Sequence, residues 1–272
     1  KKLKKLVLID SNALLHRAWH AVPPLETKDG IMVNAVFGYT SLLLNILKAL
    51  NPEYIIATFD LAGKTFRHEE YTEYKAHREK QADEFYDQFP ISKDVLEAFN
   101  IPIMTKAGFE ADDVIGTIAK EAYEKYDDLE VIIITGDLDA LQLVNDRVKV
   151  VTLKRGFHET ITYSIDAVKE RYGLVPDQLI DLKAIQGDTS DNIKGVKGIG
   201  IKGAQGEDGN HFTNAALWDT VSSTITPTTG KFSLDGENKS FVFNPTSKNN
   251  IDMLNWGLSL APGDTLTFTN TT

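Results

Sequence analysis

The chain has 272 residues, no cysteine and a formal net charge of −10. This length suits one large domain or two smaller ones, and the lack of cysteine excludes disulfides, thiolate zinc sites and cysteine nucleophiles. The apolar run of residues 6–9 is too short for a secretory segment, and no run approaches the roughly 18 apolar residues of a membrane span. We therefore expect a cytoplasmic protein that makes no membrane contact.

Short apolar runs and helical patterns alternate along the first half of the chain. Residues 6–10, 54–60 and 131–136 have the continuous apolar character of strands that are buried on both faces. Helical patterns lie between them, at residues 39–50, 91–99 and 112–126. This alternation predicts an α/β fold, a mainly parallel central sheet flanked by helices, with sites outside the carboxyl ends of its strands.

Nine acidic residues lie in short clusters where these elements end or begin. Each alone could be a helix cap or a turn residue. Together they predict a cation site, because two carboxylates about 4 Å apart repel by roughly 4 kcal/mol at an effective dielectric of about 20. Such a site takes oxygen-ligated divalent ions, and neutralising these acids would leave a surface compatible with nucleic acid. The residues are Asp10, Asp60, Glu110, Asp112, Asp113, Asp137, Asp139, Asp188 and Asp191.

Residues 64–80 combine basic and aromatic side chains with four glutamates. Lys75 and Arg78 are three positions apart, so a helix here would place them on one face with Tyr74 beside them. Taken alone, the segment is typical of a solvated helix face. Its mixture of cations and aromatic rings also suits single-stranded nucleic acid. The basic residues are Lys64, Arg67, Lys75, Arg78 and Lys80.

Two further patterns favour structural explanations. Residues 195–203 have the glycine spacing of a dinucleotide-binding loop, but no strand pattern precedes them and no helical pattern follows. His16 and His20 are four apart on a predicted helix, yet no third ligand accompanies them. We therefore expect a packed or exposed histidine pair rather than a metal site.

The composition changes near residue 204. Residues 205–272 contain 32 Thr, Ser, Asn and Gly residues and only three basic ones. The sequence there breaks into strand-like pieces: LWDTVSSTI, KFSLDG, SFVFNP, NWGLSL and TLTFTN. We expect two domains, an α/β domain over residues 1–204 and a β-rich module or extension over residues 205–272.

Several stretches in unbroken order resemble the 5′ nuclease family, closest to the N-terminal 5′-to-3′ exonuclease domain of bacterial DNA polymerase I. The resemblance covers about residues 3–204, and the family it points to also includes flap endonucleases. It is carried by LVLIDSNALLHRAWHA, NAVFGYTSLLLNIL, ATFDLAGKTFRHEEYTEYKAHR, FEADDVIGTIA, ITGDLDALQLV, DQLIDLKAIQGDTSDN and GVKGIGIK.

The resemblance implies a nuclease core with two divalent metal ions. It groups four acids around one ion and three around the other, with two more that ligate directly or through water. The first group is Asp10, Asp60, Glu110 and Asp112; the second is Asp137, Asp139 and Asp191; the remaining two are Asp113 and Asp188.

The resemblance also implies DNA contacts. Residues 64–80 would lead into a helical arch in which Lys75 and Arg78 contact the scissile phosphate and Tyr74 stacks on a base. The glycine-rich stretch resembles the hairpin of a helix-hairpin-helix that grips duplex phosphates through its backbone, with K⁺ bound there. This chain has Lys194 where proline is usual and lacks a second helical pattern, so we expect a truncated motif. The hairpin contacts would be Gly195, Lys197, Gly198, Gly200 and Lys202.

We predict a monomeric, structure-specific 5′ nuclease that uses two Mg²⁺ or Mn²⁺ ions to hydrolyse DNA at 5′ ends or flaps, as in replication and repair. Its catalytic residues would be Asp10, Asp112, Lys75 and Arg78. Three alternatives remain open: a DNA-junction binder with impaired catalysis, an adhesive or fibre-like β module joined to a nuclease fragment, and a related ribonuclease.

Overall fold

The structure, a computed structural model, describes residues 2–153 and 160–196, and beyond them the backbone of residues 229–234, 237–242 and 266–268. It divides into two compact units. The first comprises Lys1–Ile180 with Ser190–Ile193, and the second comprises Asp181–Thr189 with Lys194–Thr272.

A six-stranded sheet forms the centre of the first unit. Its strands are β1 Lys4–Asp10, β2 Tyr54–Thr58, β3 Ile103–Met104, β4 Leu129–Ile134, β5 Val148–Leu153 and β6 Thr160–Tyr163. They lie in the order β3-β2-β1-β4-β5-β6, and every neighbouring pair is parallel except the antiparallel pair of β5 and β6. The strand order changes direction at β1, the kind of switch point where α/β sheets form their sites. The predicted α/β fold is confirmed.

The first six described helices lie between these strands, and the last two follow β6. The predicted helices at residues 39–50, 91–99 and 112–126 are confirmed, and each begins earlier than its apolar pattern. At the start of the first of them, Gln88 Oε1 accepts hydrogen bonds from Ala35 N and Val36 N at 2.8 and 3.1 Å, which satisfies main-chain donors that a helix leaves free. The helices are α1 Ser11–Ala21, α2 Asn34–Leu50, α3 Phe66–Glu70, α4 Asp83–Tyr86, α5 Gln88–Ala98, α6 Ala111–Lys125, α7 Ile165–Tyr172 and α8 Gln178–Gln186.

The core holds the ends of the central strands in place. Val7, Leu8 and Ile9 in β1 are at most 1% exposed, as expected for a strand covered on both faces. Burying each such side chain contributes roughly 1.5–3 kcal/mol. The carboxyl end of β1 therefore presents its last residue from a rigid support. Among the helices that the structure describes, none is both long and apolar enough to cross a bilayer.

The predicted helix that would carry Lys75 and Arg78 on one face is wrong. Helix α3 ends at Glu70, and residues 72–77 form turns. Tyr74 N donates to Tyr71 O at 3.0 Å, and Arg78 N donates to Lys75 O at 3.0 Å, both three residues back. Lys75 has a φ of +54°, a left-handed conformation that a right-handed helix does not contain. The segment is a turned loop, called the 71–78 loop below.

The C-terminal part of the chain is described only as short strands. Thr229–Leu234 pairs in antiparallel fashion with Glu237–Val242 and with Leu266–Phe268. These strands overlap three of the predicted pieces, KFSLDG, SFVFNP and TLTFTN. The pieces LWDTVSSTI and NWGLSL, the predicted boundary near residue 204 and the hairpin residues Lys197, Gly198, Gly200 and Lys202 lie outside the described residues. The two-domain division remains a prediction.

Candidate metal centre and the adjoining cationic loop

Asp10 lies where β1 passes into α1. It is the N-cap of that helix, and its Oδ1 accepts a hydrogen bond from Ala13 N at 3.0 Å. Its Oδ2 accepts a hydrogen bond from Thr135 Oγ1 at 2.7 Å. Burial, together with the nearby charges of Asp60 and Asp137, raises the pKa of Asp10 to about 6, although the bonds from Ala13 N and Thr135 lower it. These hydrogen bonds fix the orientation of the carboxylate, and neither of them comes from a positively charged group.

Four acids meet at the start of α6. Glu110 is the N-cap, and Asp113 closes a capping box by accepting from Glu110 N at 2.9 Å. Asp60 Oδ1 accepts from Ala111 N at 2.6 Å, so the loop after β2 is joined to the same helix start. Burial raises the pKa of Asp60, and burial together with Asp113 and Glu110 raises that of Asp112 to about 6. The main-chain donors and dipole of a helix start favour such anionic side chains.

Two more acids follow β4. Asp137 N donates to Thr135 Oγ1 at 3.0 Å, and Asp139 N donates to Asp137 Oδ1 at 2.9 Å. Asp139 then begins a short 3₁₀ helix, Asp139–Leu143. These bonds form a tight turn that holds both carboxylates at the sheet edge where β1 also ends.

A cavity of about 340 Å³ brings these elements together within the first unit. Five of the predicted metal ligands line it, together with two cations, Arg67 and Lys120. The five acids are Asp10, Asp112, Asp113, Asp137 and Asp139.

Cations from the chain pair with the acids beside this cavity. Lys75 Nζ lies 2.8 Å from Glu110 Oε2, and the Tyr74 hydroxyl donates to the same oxygen at 3.1 Å. Arg67 donates two hydrogen bonds of 2.7 Å to the two oxygens of Asp113. Burial alone would raise the pKa of Asp113, but the bonds from Arg67 and Glu110 N and the charge of Arg67 lower it overall.

The 71–78 loop is also bound to residues 190–192. Lys75 N donates to Asp191 O at 2.9 Å, and Arg78 Nη2 lies 2.5 Å from Asp191 Oδ1. Arg78 Nε donates to Ser190 O at 3.1 Å, and Asn192 Nδ2 donates to Glu73 O at 2.8 Å. Asp191 is thereby held at the loop that carries both of the predicted phosphate-contacting cations.

The structure does not present Tyr74 to a nucleobase, so the predicted stacking role does not fit this conformation. Its side chain is only 5% exposed, and its ring packs edge-on against His68 at 5.1 Å. The physical reason is the hydroxyl bond to Glu110, which draws the ring inward. Lys64 is exposed, and Lys80 Nζ pairs with Asp83 at 2.6 Å on the surface, so both lie where DNA can reach them.

His16 and His20 lie side by side on the surface of α1, each only partly covered. Their ring centroids are 4.7 Å apart, and the ring of His16 stands edge-on to Phe85 at 5.7 Å. Burial lowers the pKa of His16, and the charges of His20 and Arg78 lower it further. That these residues do not bind a metal ion stays a prediction.

The second unit contains two of the predicted site residues that the structure describes. Asp188 accepts a hydrogen bond from Lys183 Nζ at 2.9 Å. Gly195 lies so close to the main chain of Gln186 that a side chain at position 195 would collide with it. Glycine is therefore required at the start of the predicted hairpin for packing within the chain.

Within the described ranges, no three acidic or histidine side chains are placed so as to hold an ion directly. The carboxylates instead accept from main-chain N–H groups, from hydroxyls and from the cations of the chain. The donor set nevertheless fits hard divalent cations, because it consists of oxygen atoms around one cavity and because Asp10 and Asp112 have pKa values of about 6.

Two residues with direct contacts to these acids were not singled out from the sequence. Thr135 bridges Asp10 and Asp137, and Asn12 Oδ1 accepts from Asp60 N at 3.1 Å. Both are polar residues at the end of an apolar run, in ITGD and LIDSN. That position is the signal that could have identified them.

Comparison with known proteins places these features in context. The family described as 5′-3′ exonuclease, N-terminal resolvase-like domain, matches residues 5–173. The chain is 44% identical over 203 residues to DNA polymerase I of Caldicellulosiruptor bescii, covering 74% of this chain and 24% of that protein. It is 48% identical over 204 residues to DNA polymerase I of Chloroflexus aurantiacus, covering 73% of this chain and 21% of that protein. The chain spans less than a quarter of the length of these relatives.

Solved structures of a bacteriophage T5 nuclease are also similar. The T5 5′-exonuclease with bound divalent zinc ions gives a TM-score of 0.61 at 26% identity, over 82% of this chain and 81% of that chain. The T5 flap endonuclease in a pseudo-enzyme–product complex with DNA and metal ions gives the same TM-score, identity and coverage. The similarity reaches beyond the segment matched by the family.

Proposed function

The chain belongs to the family of 5′-3′ exonuclease N-terminal domains, and on that basis we propose that it is a divalent-cation-dependent 5′ nuclease acting on DNA ends or flaps. One observation carries the proposal. Five carboxylates line a single cavity at the carboxyl ends of β1 and β4, and three cations, Arg67 from α3 and Lys75 and Arg78 from the 71–78 loop, pair with acids in or beside it. The T5 relative, with its metal ions and DNA, supports the same assignment.

We assign two Mg²⁺ or Mn²⁺ ions to this centre, because carboxylate oxygens suit those cations. The proposed ligands are the five acids of the cavity, together with Asp60 and Glu110 at the start of α6 and Asp191 beside the 71–78 loop. Asp188 joins them by family resemblance. When bound, the cations would supply positive charge to the phosphate and lower the pKa of an attacking water.

The cations of the chain have distinct tasks in this proposal. Arg67 binds both oxygens of Asp113 and so orients that carboxylate. The Arg78 side chain is 51% exposed, although it pairs with Asp191, and can turn towards a phosphate. Lys75 lies on the same loop, bound to Glu110. In the proposed reaction water adds to phosphorus and the bond to the 3′ oxygen breaks, which leaves a 5′-phosphate and a 3′-hydroxyl.

The experiment is cleavage of a labelled 5′-flap DNA by the full chain in Mg²⁺, in Mn²⁺ and in excess chelator. We expect cleavage with either ion, none in chelator and none by Asp112→Asn. Glu130→Gln is the matched control, because it also removes one negative charge but lies in β4 away from the cavity, paired with Lys149 at 2.5 Å. Full cleavage in chelator would contradict the proposal, and preferential cleavage of an RNA flap would favour a ribonuclease.

We propose that residues 1–204 carry this activity and that residues 205–272 form a separate module. The family match at residues 5–173 lies inside the first range. Limited proteolysis of the full chain tests the division. A cut near residues 203–212 that leaves flap cleavage intact supports it, whereas one protease-resistant unit would contradict it.

A further inference from the structure

We propose that Thr135 is a positioning residue that couples the two groups of predicted metal ligands. It orients the carboxylate of Asp10 and fixes the turn that carries Asp137 and Asp139. The inference rests on the proposed function, because it assigns Thr135 a role in cation binding at the same centre.

Strand pairing fixes the position of Thr135. It directly follows β4, and its N–H donates to Val151 O at 3.2 Å, so the ladder with β5 continues through it. Side chains two positions apart share a face of a strand, and Ile133 and Thr135 both line the acidic cavity. Thr135 is only 1% exposed. Its hydroxyl is therefore built into the cavity wall.

The direction of both hydrogen bonds to this hydroxyl is determined by chemistry. An ionised carboxylate only accepts and a main-chain N–H only donates, so Thr135 Oγ1 donates to Asp10 Oδ2 at 2.7 Å and accepts from Asp137 N at 3.0 Å. Serine can make the same pair of bonds. Valine, which has nearly the same shape as threonine, can make neither.

These bonds connect the carboxylate of Asp10 to the main chain of Asp137, two residues that the family resemblance assigns to different ions. Ala13 N holds the second oxygen of Asp10 at 3.0 Å, so both oxygens of that carboxylate have fixed donors. On the other side, the Asp137 turn continues through the bond from Asp139 N. Loss of a side chain that orients a metal ligand typically weakens metal binding by about 10- to 100-fold.

A purely structural role would have a different signature. A buried hydroxyl that satisfies its hydrogen-bond partners stabilises the fold whether or not the site binds ions. Thr58 offers the matched control. It is 0% exposed at the carboxyl end of β2, and its hydroxyl donates to a main-chain acceptor, Ile9 O, at 3.0 Å.

The test is calorimetric titration of the full chain with Mn²⁺ alone at pH 7.5. We expect Thr135→Val to bind Mn²⁺ about 10-fold more weakly than the unaltered protein, and Thr135→Ser to stay within about 3-fold of it. Thr58→Val should lose stability in urea yet keep its Mn²⁺ affinity. If Thr135→Val does not fold, Thr135→Ala takes its place in the comparison with Thr135→Ser.

Three results would overturn the inference: unchanged Mn²⁺ affinity in Thr135→Val, an equal loss in Thr58→Val, or no recovery in Thr135→Ser. These outcomes are distinct from failure of the proposed function. If the unaltered protein binds no Mn²⁺, both the proposed function and this inference are contradicted. If it binds Mn²⁺ with an affinity that does not depend on Thr135, only the coupling role is contradicted.

Discussion

Two sets of carboxylates at this centre have their charge balanced in different ways. Asp10 and Asp112 accept hydrogen bonds from neutral donors, the Ala13 and Asp113 main chain and the Thr135 hydroxyl. Burial raises the pKa of each to about 6. By contrast, Glu110, Asp113 and Asp191 pair with Lys75, Arg67 and Arg78 at 2.8, 2.7 and 2.5 Å.

The difference indicates which acids most need a cation from solution. A buried carboxylate without a positive partner is costly, and a divalent ion removes that cost. The paired acids are already neutralised by the chain. An ion that binds these acids must first replace their internal partners. Under the proposed function, the cations released in this way would be free to contact phosphate.

The largest expected effect comes from removing the acids that form no ion pair within the part of the chain that the structure describes. Asp10→Ala, Asp112→Ala and Asp137→Ala should each reduce flap cleavage by more than about 10³-fold, because the charge that holds the cations is lost. DNA binding should survive, since removing negative charge does not weaken attraction to phosphate. Single-turnover cleavage and binding titrations on the same DNA provide the measurement. Retained cleavage in any of the three would contradict the assignment of that acid.

A smaller effect is expected from the paired side of the comparison. Arg78→Ala and Lys75→Ala should lower turnover by about 10²-fold while weakening substrate binding much less, because their contacts strengthen as charge develops on the phosphate. Lys80→Ala is the control, since its ammonium pairs with Asp83 on the surface. Equal losses in turnover and binding, or an equal loss in Lys80→Ala, would show that the 71–78 loop contributes only general attraction.

Stability should change in opposite directions for the two sets. Asp10 has a folded pKa of about 6 against an unfolded value of about 3.9. The unfolded state therefore ionises first, and stability falls as pH rises from about 4 to 6. In chelator at pH 7, Asp10→Asn should raise the free energy of unfolding by about 1–2 kcal/mol, because the neutral amide avoids the burial cost.

Asp113→Asn should instead lower the free energy of unfolding by about 1–2 kcal/mol, because it breaks the two-bond pair with Arg67. Because the folded state lowers the pKa of Asp113, this carboxylate stabilises the fold at pH values above its unfolded pKa. That stabilisation is lost as the pH falls through the folded pKa. Asp127→Asn, on a fully exposed side chain, should change stability by less than about 0.5 kcal/mol. Urea unfolding of all three variants measures these differences. A decrease in Asp10→Asn would contradict the account of uncompensated charge.

The sequence predicted the parts of the centre that follow from periodicity. Continuous apolar runs identify β1, β2 and β4, and parallel strands bring their carboxyl ends to one edge, so the meeting of Asp10 with Asp137 was predictable. The start of α6 was predictable in the same way, because Glu110 and Asp113 have the spacing of a capping box.

The remaining features depend on contacts that periodicity does not encode. The 71–78 loop has helical spacing in sequence, but the left-handed φ of Lys75 ends any helix there. The pair of Arg78 with Asp191 joins residues 113 positions apart. Thr135 looks like an ordinary strand residue until strand register places it opposite Asp10. The spacing of residues therefore identified candidate site residues, whereas their contact partners are determined by tertiary packing.

Proton release on cation binding tests the central claim most directly. Asp10 and Asp112 have pKa values of about 6, so at pH 6 each is about half protonated and an arriving cation should expel about one proton per chain in total. Titration with Mn²⁺ in buffers of different ionisation enthalpy measures this number. We expect about one proton at pH 6, almost none at pH 8, and none at either pH when both residues are replaced by Asn. Binding without pH-dependent proton release, or no binding, would contradict a cation centre built on these two carboxylates.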